Sequence, residues 1–183
     1  MLPPYRQKCR ADACIRRAVT LYRVVKDMDT LYDTERYPKR KHPRLKGYDY
    51  SSENYYFITI CTFEKKCLFG TVENRNIFGN YAAQGFEEIP IHYSDVKVDK
   101  YVVMPNHVHA VIYVQGEKSN LSRVVGSYKS YVTKKIHETC PDIKIWQPSF
   151  HDHIIRNEKS YQNIWLYIDG NPINWEKDCF YTK

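Results

Sequence analysis

The stretch Met104-Pro105-Asn106-His107-Val108-His109-Ala110-Val111-Ile112 constrains the fold of this chain more than any other. Residues 106–114 carry the pattern of a β-strand, in which side chains two apart share a face. Val108, Ala110, Ile112 and Val114 then form an apolar face that has to lie on a core. His107 and His109 stand together on the opposite face. Two imidazoles so spaced are able to grip one divalent cation or to hydrogen-bond to neighbouring groups. The pair alone does not choose between these.

The flanking segments supply a sheet for that strand. Tyr55-Tyr56-Phe57-Ile58-Thr59-Ile60-Cys61-Thr62 is rich in β-branched and aromatic residues and free of charge. That predicts a strand over 54–62, buried on both faces and central. Residues 95–104 alternate for part of their length and end at Pro105, which predicts a strand returning antiparallel through the Pro105-Asn106 turn. Between them, 67–70 and 74–78 read as a short hairpin and 80–89 as a helix. From Leu121 the period changes: Leu121, Val125, Tyr128, Val132 and Ile136 recur at helical spacing, with Arg123, Lys129, Lys134 and Lys135 off that line. This is an amphipathic helix with a basic outer face, capped by Asn120 or Ser119.

The stretch 145–156 reads as irregular. It holds a second His-x-His pair, His151 and His153, but the polar Asp152 between them and Pro148 ahead of them argue against a buried strand. Asn157 is an N-cap for a last helix that stops near Gly170-Asn171, because Pro172 disfavours helical geometry in the residue before it. Tyr161, Ile164, Trp165 and Ile168 form its apolar stripe. At about 100° per residue, Tyr167 falls roughly 110° from the centre of that stripe, so core packing does not account for it. Asn171 lies one turn on, over the same flank. Tyr128 and Tyr131 are rival functional tyrosines, although Tyr128 sits on the apolar side of its own helix.

Composition narrows the partner. The chain of 183 residues has a formal charge of +7, a pI near 9.0 and 17 tyrosines. Rings beside cations suit stacking on unpaired bases with phosphates held alongside, and they equally suit a tyrosine-rich core. The run Arg36 to Tyr50 crowds basic residues around two prolines; it is either a phosphate-contacting arm, through Arg44 and Lys46, or a solvated linker. Before it, 18–25 is a possible helix of obscure role. Six cysteines include no Cys-x-x-Cys pair and are expected as free thiols. No apolar run approaches the roughly 20 residues of a membrane span, and the first residues lack a signal-peptide core. A cytoplasmic protein with no membrane partner is therefore expected.

Histidines holding a divalent cation, with a tyrosine beside them, would permit covalent attack on a phosphodiester. The word Asn106-His107-Val108-His109 resembles the metal motif of the HUH endonucleases, specifically the single-tyrosine transposases of small insertion sequences. Further words resemble the branch of that family associated with repetitive extragenic palindromes. They are Arg44-Leu45-Lys46-Gly47-Tyr48-Asp49-Tyr50, Gly126-Ser127-Tyr128-Lys129-Ser130, Asp152-His153-Ile154-Ile155-Arg156-Asn157-Glu158 and Tyr167-Ile168-Asp169-Gly170-Asn171-Pro172. The resemblance runs from about residue 36 to the end, so 36–183 is expected to be the transposase-like domain and 1–35 an extension of unknown role.

The resemblance implies an α+β, ferredoxin-like fold, with an antiparallel sheet flanked by helices and a basic arm at the N-terminus. It implies His107 and His109 as catalytic metal ligands, Asn171 as a third ligand to Mg²⁺ or Mn²⁺, and Tyr167 as the nucleophile. The activity implied is a DNA transposase or strand transferase that cleaves single-stranded, hairpin-bearing DNA through a phosphotyrosine, acting as a monomer or homodimer. Arg44, Lys46, Arg123, Lys129 and Arg156 are the candidate DNA contacts. A replication-initiating nickase and a non-catalytic binder of palindromic hairpins are the alternatives.

Overall fold

A computed structural model describes residues 45, 47–116 and 118–181; the proposed extension, most of the basic arm, Arg44 and Lys46 lie outside the described residues. In chain order the elements are β1 (Asn54–Cys61), a 3-10 turn (Phe63–Lys65), α1 (Ile77–His92), β2 (Val96–Val103), β3 (His107–Val114), α2 (Leu121–His137), β4 (His151–Ile155), α3 (Glu158–Gly170) and a closing 3-10 segment (Pro172–Lys177). The four strands make one antiparallel sheet in the order β2-β3-β1-β4. The fold is therefore α+β, with the histidine strand β3 and the charge-free strand β1 in the middle.

Alternation divides the sheet into two unequal faces. Tyr56, Ile58 and Ile60 of β1 and Val108, Ala110, Ile112 and Val114 of β3 point to one side, where α1 and α2 cover them with Ala82, Phe86, Val125, Tyr128, Val132 and Ile136. This is the main core. On the other side α3 adds a smaller cluster, Ile164 and Ile168 on Val111 and Ile155, with Phe57, Val102, Tyr161 and Tyr167 at its rim. Tyr128 is 2% exposed and its hydroxyl donates to the Ala82 carbonyl at 3.0 Å, which is the core role its helical position implies. Gly85 is where the helices come closest: a Cβ there would lie 2.9 Å from the Tyr128 ring.

Three expectations need correction. The hairpin expected from 67–70 and 74–78 reduces to a single bridge, Gly70 to Arg75. The Asn76 side chain instead accepts from the amides of Phe78 and Gly79, so the helix begins at Ile77 rather than 80. The segment taken as irregular contains the edge strand β4, paired to β1 from Tyr55–Ile155 to Thr59–His151. Its pattern is only five residues long, and the half-buried Asp152 breaks it. The free hydrogen-bonding edge of β1 recruits the segment, a tertiary demand that overrides weak local pattern. The preceding turn, with Ser149 at φ +64°, is held by the Lys129 ammonium, which donates to the carbonyls of Gln147 (2.7 Å) and Ser149 (3.1 Å).

Candidate active site on the histidine face

The register fixes which side chains share the histidine face. Thr59 opposes His109 and Cys61 opposes His107 on the β1 side; His151 opposes Thr59 and His153 opposes Phe57 one strand further out. His107 and His109 are 0% and 1% exposed, and their Nε2 atoms face each other at 3.0 Å.

Both outer ring nitrogens are committed elsewhere. The Asn106 Nδ2 donates to the carbonyls of Lys65 (3.1 Å) and Phe180 (2.8 Å), which turns its Oδ1 toward His107 Nδ1 at 2.9 Å. That oxygen only accepts, so His107 carries its proton on Nδ1. His109 Nδ1 meets Thr59 Oγ1 at 2.8 Å, and with its proton on Nδ1, toward that oxygen, its Nε2 is bare as well. Two bare Nε2 lone pairs therefore point at one another.

Burial keeps both rings neutral. It pushes His109 down to about 3, against a smaller upward pull from the Ile58 backbone. It also holds His107 well below the usual imidazole range, with His109 and Lys65 adding in the same direction. Neutral imidazole is the form that ligates metals.

Other groups converge on the same point. The Tyr167 hydroxyl, from α3, lies 3.3 Å from His109 Nε2, with its ring edge-on to Phe57 at 6.0 Å and to His109 at 5.2 Å. Asp178 Oδ2 lies 3.9 Å from His107 Nε2 and accepts from Asn171 Nδ2 at 2.7 Å. One ligand atom each from His107, His109 and Asp178 falls within 4.8 Å of the others. Asn171 is 3% exposed, and its Oδ1 is buried without a hydrogen-bond partner. Facing lone pairs, a buried carboxylate and an orphaned amide oxygen suit a divalent cation.

The chain after α3 completes the enclosure. Phe180 and Trp175 bring their rings to 4.7 and 5.9 Å from His107, and the Phe180 amide donates to Asp178 Oδ1 at 2.7 Å. Asp178 was not found by sequence reasoning, because no period links it to Asn171; only the fold-back of the terminal segment brings it in. Asn106 reads as a turn residue and Thr59 as one more strand residue until the register is known.

The expected DNA contacts are dispersed. Arg123 is exposed on α2, in the layer on the far side of the sheet from the histidines. The Lys129 ammonium is engaged by two protein carbonyls. Arg156 is exposed between β4 and α3, on the edge of the histidine face.

A four-stranded α+β sheet that buries a His-x-His pair beneath a helical tyrosine has a counterpart among known families. The family model described as "Transposase IS200 like" matches residues 49–171. The chain belongs to the IS200-like, single-tyrosine transposase family. It is 37% identical over 168 residues to an uncharacterised protein of Haemophilus influenzae, covering 78% of this chain and 93% of that one. It is 31% identical over 83 residues to a REP-associated tyrosine transposase of Escherichia coli, covering 44% and 48%. A solved REP-associated tyrosine transposase bound to a REP hairpin has the same fold, with a TM-score of 0.58 at 21% identity over 72% of this chain and 73% of that one. Among the described residues no helix is long and apolar enough to cross a membrane.

Proposed function

We propose that this protein is a metal-dependent DNA strand transferase that cleaves single-stranded, hairpin-bearing DNA through a covalent bond to Tyr167. The observation that carries the reading is the Tyr167 hydroxyl 3.3 Å from His109 Nε2, which in turn faces His107 Nε2 at 3.0 Å. The family supports transposase chemistry, and the relative solved with a REP hairpin supports a structured single strand as the substrate. The β-α-β-β-α-β order with strands β2-β3-β1-β4 supports the ferredoxin-like reading. We take 36–183 as the transposase domain and 1–35 as an extension.

His107, His109 and Asp178 would hold the cation, Mg²⁺ or Mn²⁺, with the Asn171 amide oxygen beside them. Bound there, it would neutralise charge on the scissile phosphate and favour ionisation of a neighbouring phenol, which ordinarily loses its proton only near pH ~10. The protein's own groups do the rest. Asn106 and Thr59 hold the two Nε2 lone pairs inward, and Phe57 and Ile168 orient the tyrosine. The Tyr167 oxygen attacks phosphorus; a tyrosyl P–O bond forms as the bond to the leaving sugar oxygen breaks. The phenol gives up its proton and the leaving oxygen takes one up. The phosphodiester energy is retained, so a later hydroxyl reverses the step and joins strands without ATP.

The test is a labelled hairpin oligonucleotide with single-stranded flanks, incubated with protein and Mn²⁺ and run under denaturing conditions. Wild type is expected to form an adduct and Tyr167→Phe none, with hairpin binding unchanged. Binding with no adduct from wild type would favour the non-catalytic alternative, and nicking by Tyr167→Phe would reassign the nucleophile.

A further inference from the structure

The helix that carries Tyr167 has little apolar anchorage: only Ile164 and Ile168 of its thirteen residues are buried. Two isoleucines on a sheet make a contact about which a helix can roll. At about 100° per residue, Tyr167 lies on one flank of their line, roughly 80° away. Tyr161, Trp165 and Asp169, at i, i+4 and i+8, lie on the other flank, roughly 40°, 80° and 120° from that line. The roll angle therefore sets where the phenol oxygen stands.

Strand β2 grips that second flank. Its pairing with β3 runs regularly to Val98–Ile112 and resumes at Lys100–Val111, leaving Asp99 as one extra residue. In a regular strand, Asp99 and Lys100 would point to opposite faces, and Lys100 would be driven toward the main core. The slip turns two consecutive side chains to the same face. Asp99 accepts a short hydrogen bond from the Tyr161 hydroxyl. The Lys100 ammonium lies 3.7 Å from the Trp165 ring centroid and 2.5 Å from Asp169 Oδ1. The acidic partner also pushes the Tyr161 phenol up to about 12, chiefly through that hydrogen bond, so it stays a donor across neutral pH.

Resting on the reading of Tyr167 as nucleophile, we infer that Asp99 and Lys100, aimed together by the register slip in β2, are positioning residues. They clasp Tyr161, Trp165 and Asp169 so that a chain's own tyrosine helix serves its own histidines. Lys100 acts through the roll of α3 and not by touching DNA or metal.

The experiment measures single-turnover adduct formation and hairpin affinity separately, with the same labelled oligonucleotide and Mn²⁺. Lys100→Ala is expected to slow adduct formation about tenfold or more, as sub-ångström to ångström misplacement does, with hairpin affinity unchanged. Lys100→Arg, which keeps the charge and the stacking, restores the rate. Tyr161→Phe, which removes only the hydroxyl to Asp99, slows it to a lesser degree. A mixture of His107→Ala and Tyr167→Phe chains forms no adduct. An unchanged rate in Lys100→Ala, an equal loss of binding and rate, or recovered activity in the mixture would each overturn the clasp. Wild type forming no adduct at all would instead bring down the nucleophile assignment.

Discussion

Asn106→Ala removes at once the structural and the chemical role of the carboxamide that orients His107. Asn106 is 0% exposed, and its side chain hydrogen-bonds to the carbonyls of Lys65 at 3.1 Å and Phe180 at 2.8 Å and to His107 Nδ1 at 2.9 Å. Each buried bond lost costs about 1–1.5 kcal/mol, so the variant is expected to lose about 3–5 kcal/mol. That is a large share of the roughly 5–15 kcal/mol that holds a domain together. Urea denaturation in chelator reads this directly. Because the same amide turns the His107 lone pair inward, Mn²⁺ affinity by titration calorimetry should also fall, by about 10–100-fold.

Asn106→Asp distinguishes the two effects. A carboxylate still accepts from His107 Nδ1 but offers nothing to the Lys65 and Phe180 carbonyls. It should therefore be destabilised to a similar extent but lose less Mn²⁺ affinity than Asn106→Ala, because the His107 lone pair is still turned inward. The tautomer argument is refuted if both variants lose affinity equally, and the packing argument if Asn106→Ala costs less than about 1 kcal/mol.

Acid should weaken the fold through the buried histidines. An imidazole depressed to about 3 in the folded chain and near 6.5 when exposed binds its proton first in the unfolded state. Its stabilisation is thus complete above about pH 6.5 and is lost as pH falls toward 3. From about pH 7 to pH 5, His109 alone should cost about 2 kcal/mol, with His107 adding in the same direction; urea midpoints that stay level in chelator would contradict neutral burial. Gly85→Ala should cost about 1–3 kcal/mol by overpacking, since its Cβ would stand 2.9–3.0 Å from Tyr128 and Val132. A melting temperature equal to that of wild type would show that α1 and α2 separate freely there.

Much of the site is written in short-range pattern. Alternation in β3 was enough to put His107 and His109 on one face, because a strand has a period of two whatever it packs against. Helical angle was enough to set Tyr167 off the apolar stripe of α3, since 3.6 residues per turn is likewise local. Asp178 follows neither period. Its approach to His107 depends on the backbone after Pro172 turning back and on Asn106 holding the Phe180 carbonyl. Lys129 shows the opposite failure: its position on the polar side of α2 is read correctly, but its ammonium serves the turn before β4.

Sequence by itself therefore determined the strands β1 to β3, the helices α2 and α3, and the faces to which His107, His109 and Tyr167 point. These are set by hydrophobic periodicity and by the capping residues Asn120 and Asn157. Tertiary structure decided what depends on two segments meeting. The free edge of β1 made a strand of His151–Ile155, and the one-residue slip at Asp99 aimed Lys100 at the tyrosine helix. The fold-back of the terminal segment set a carboxylate beside His107. Register and edge pairing are relations between distant segments, and no residue carries them alone.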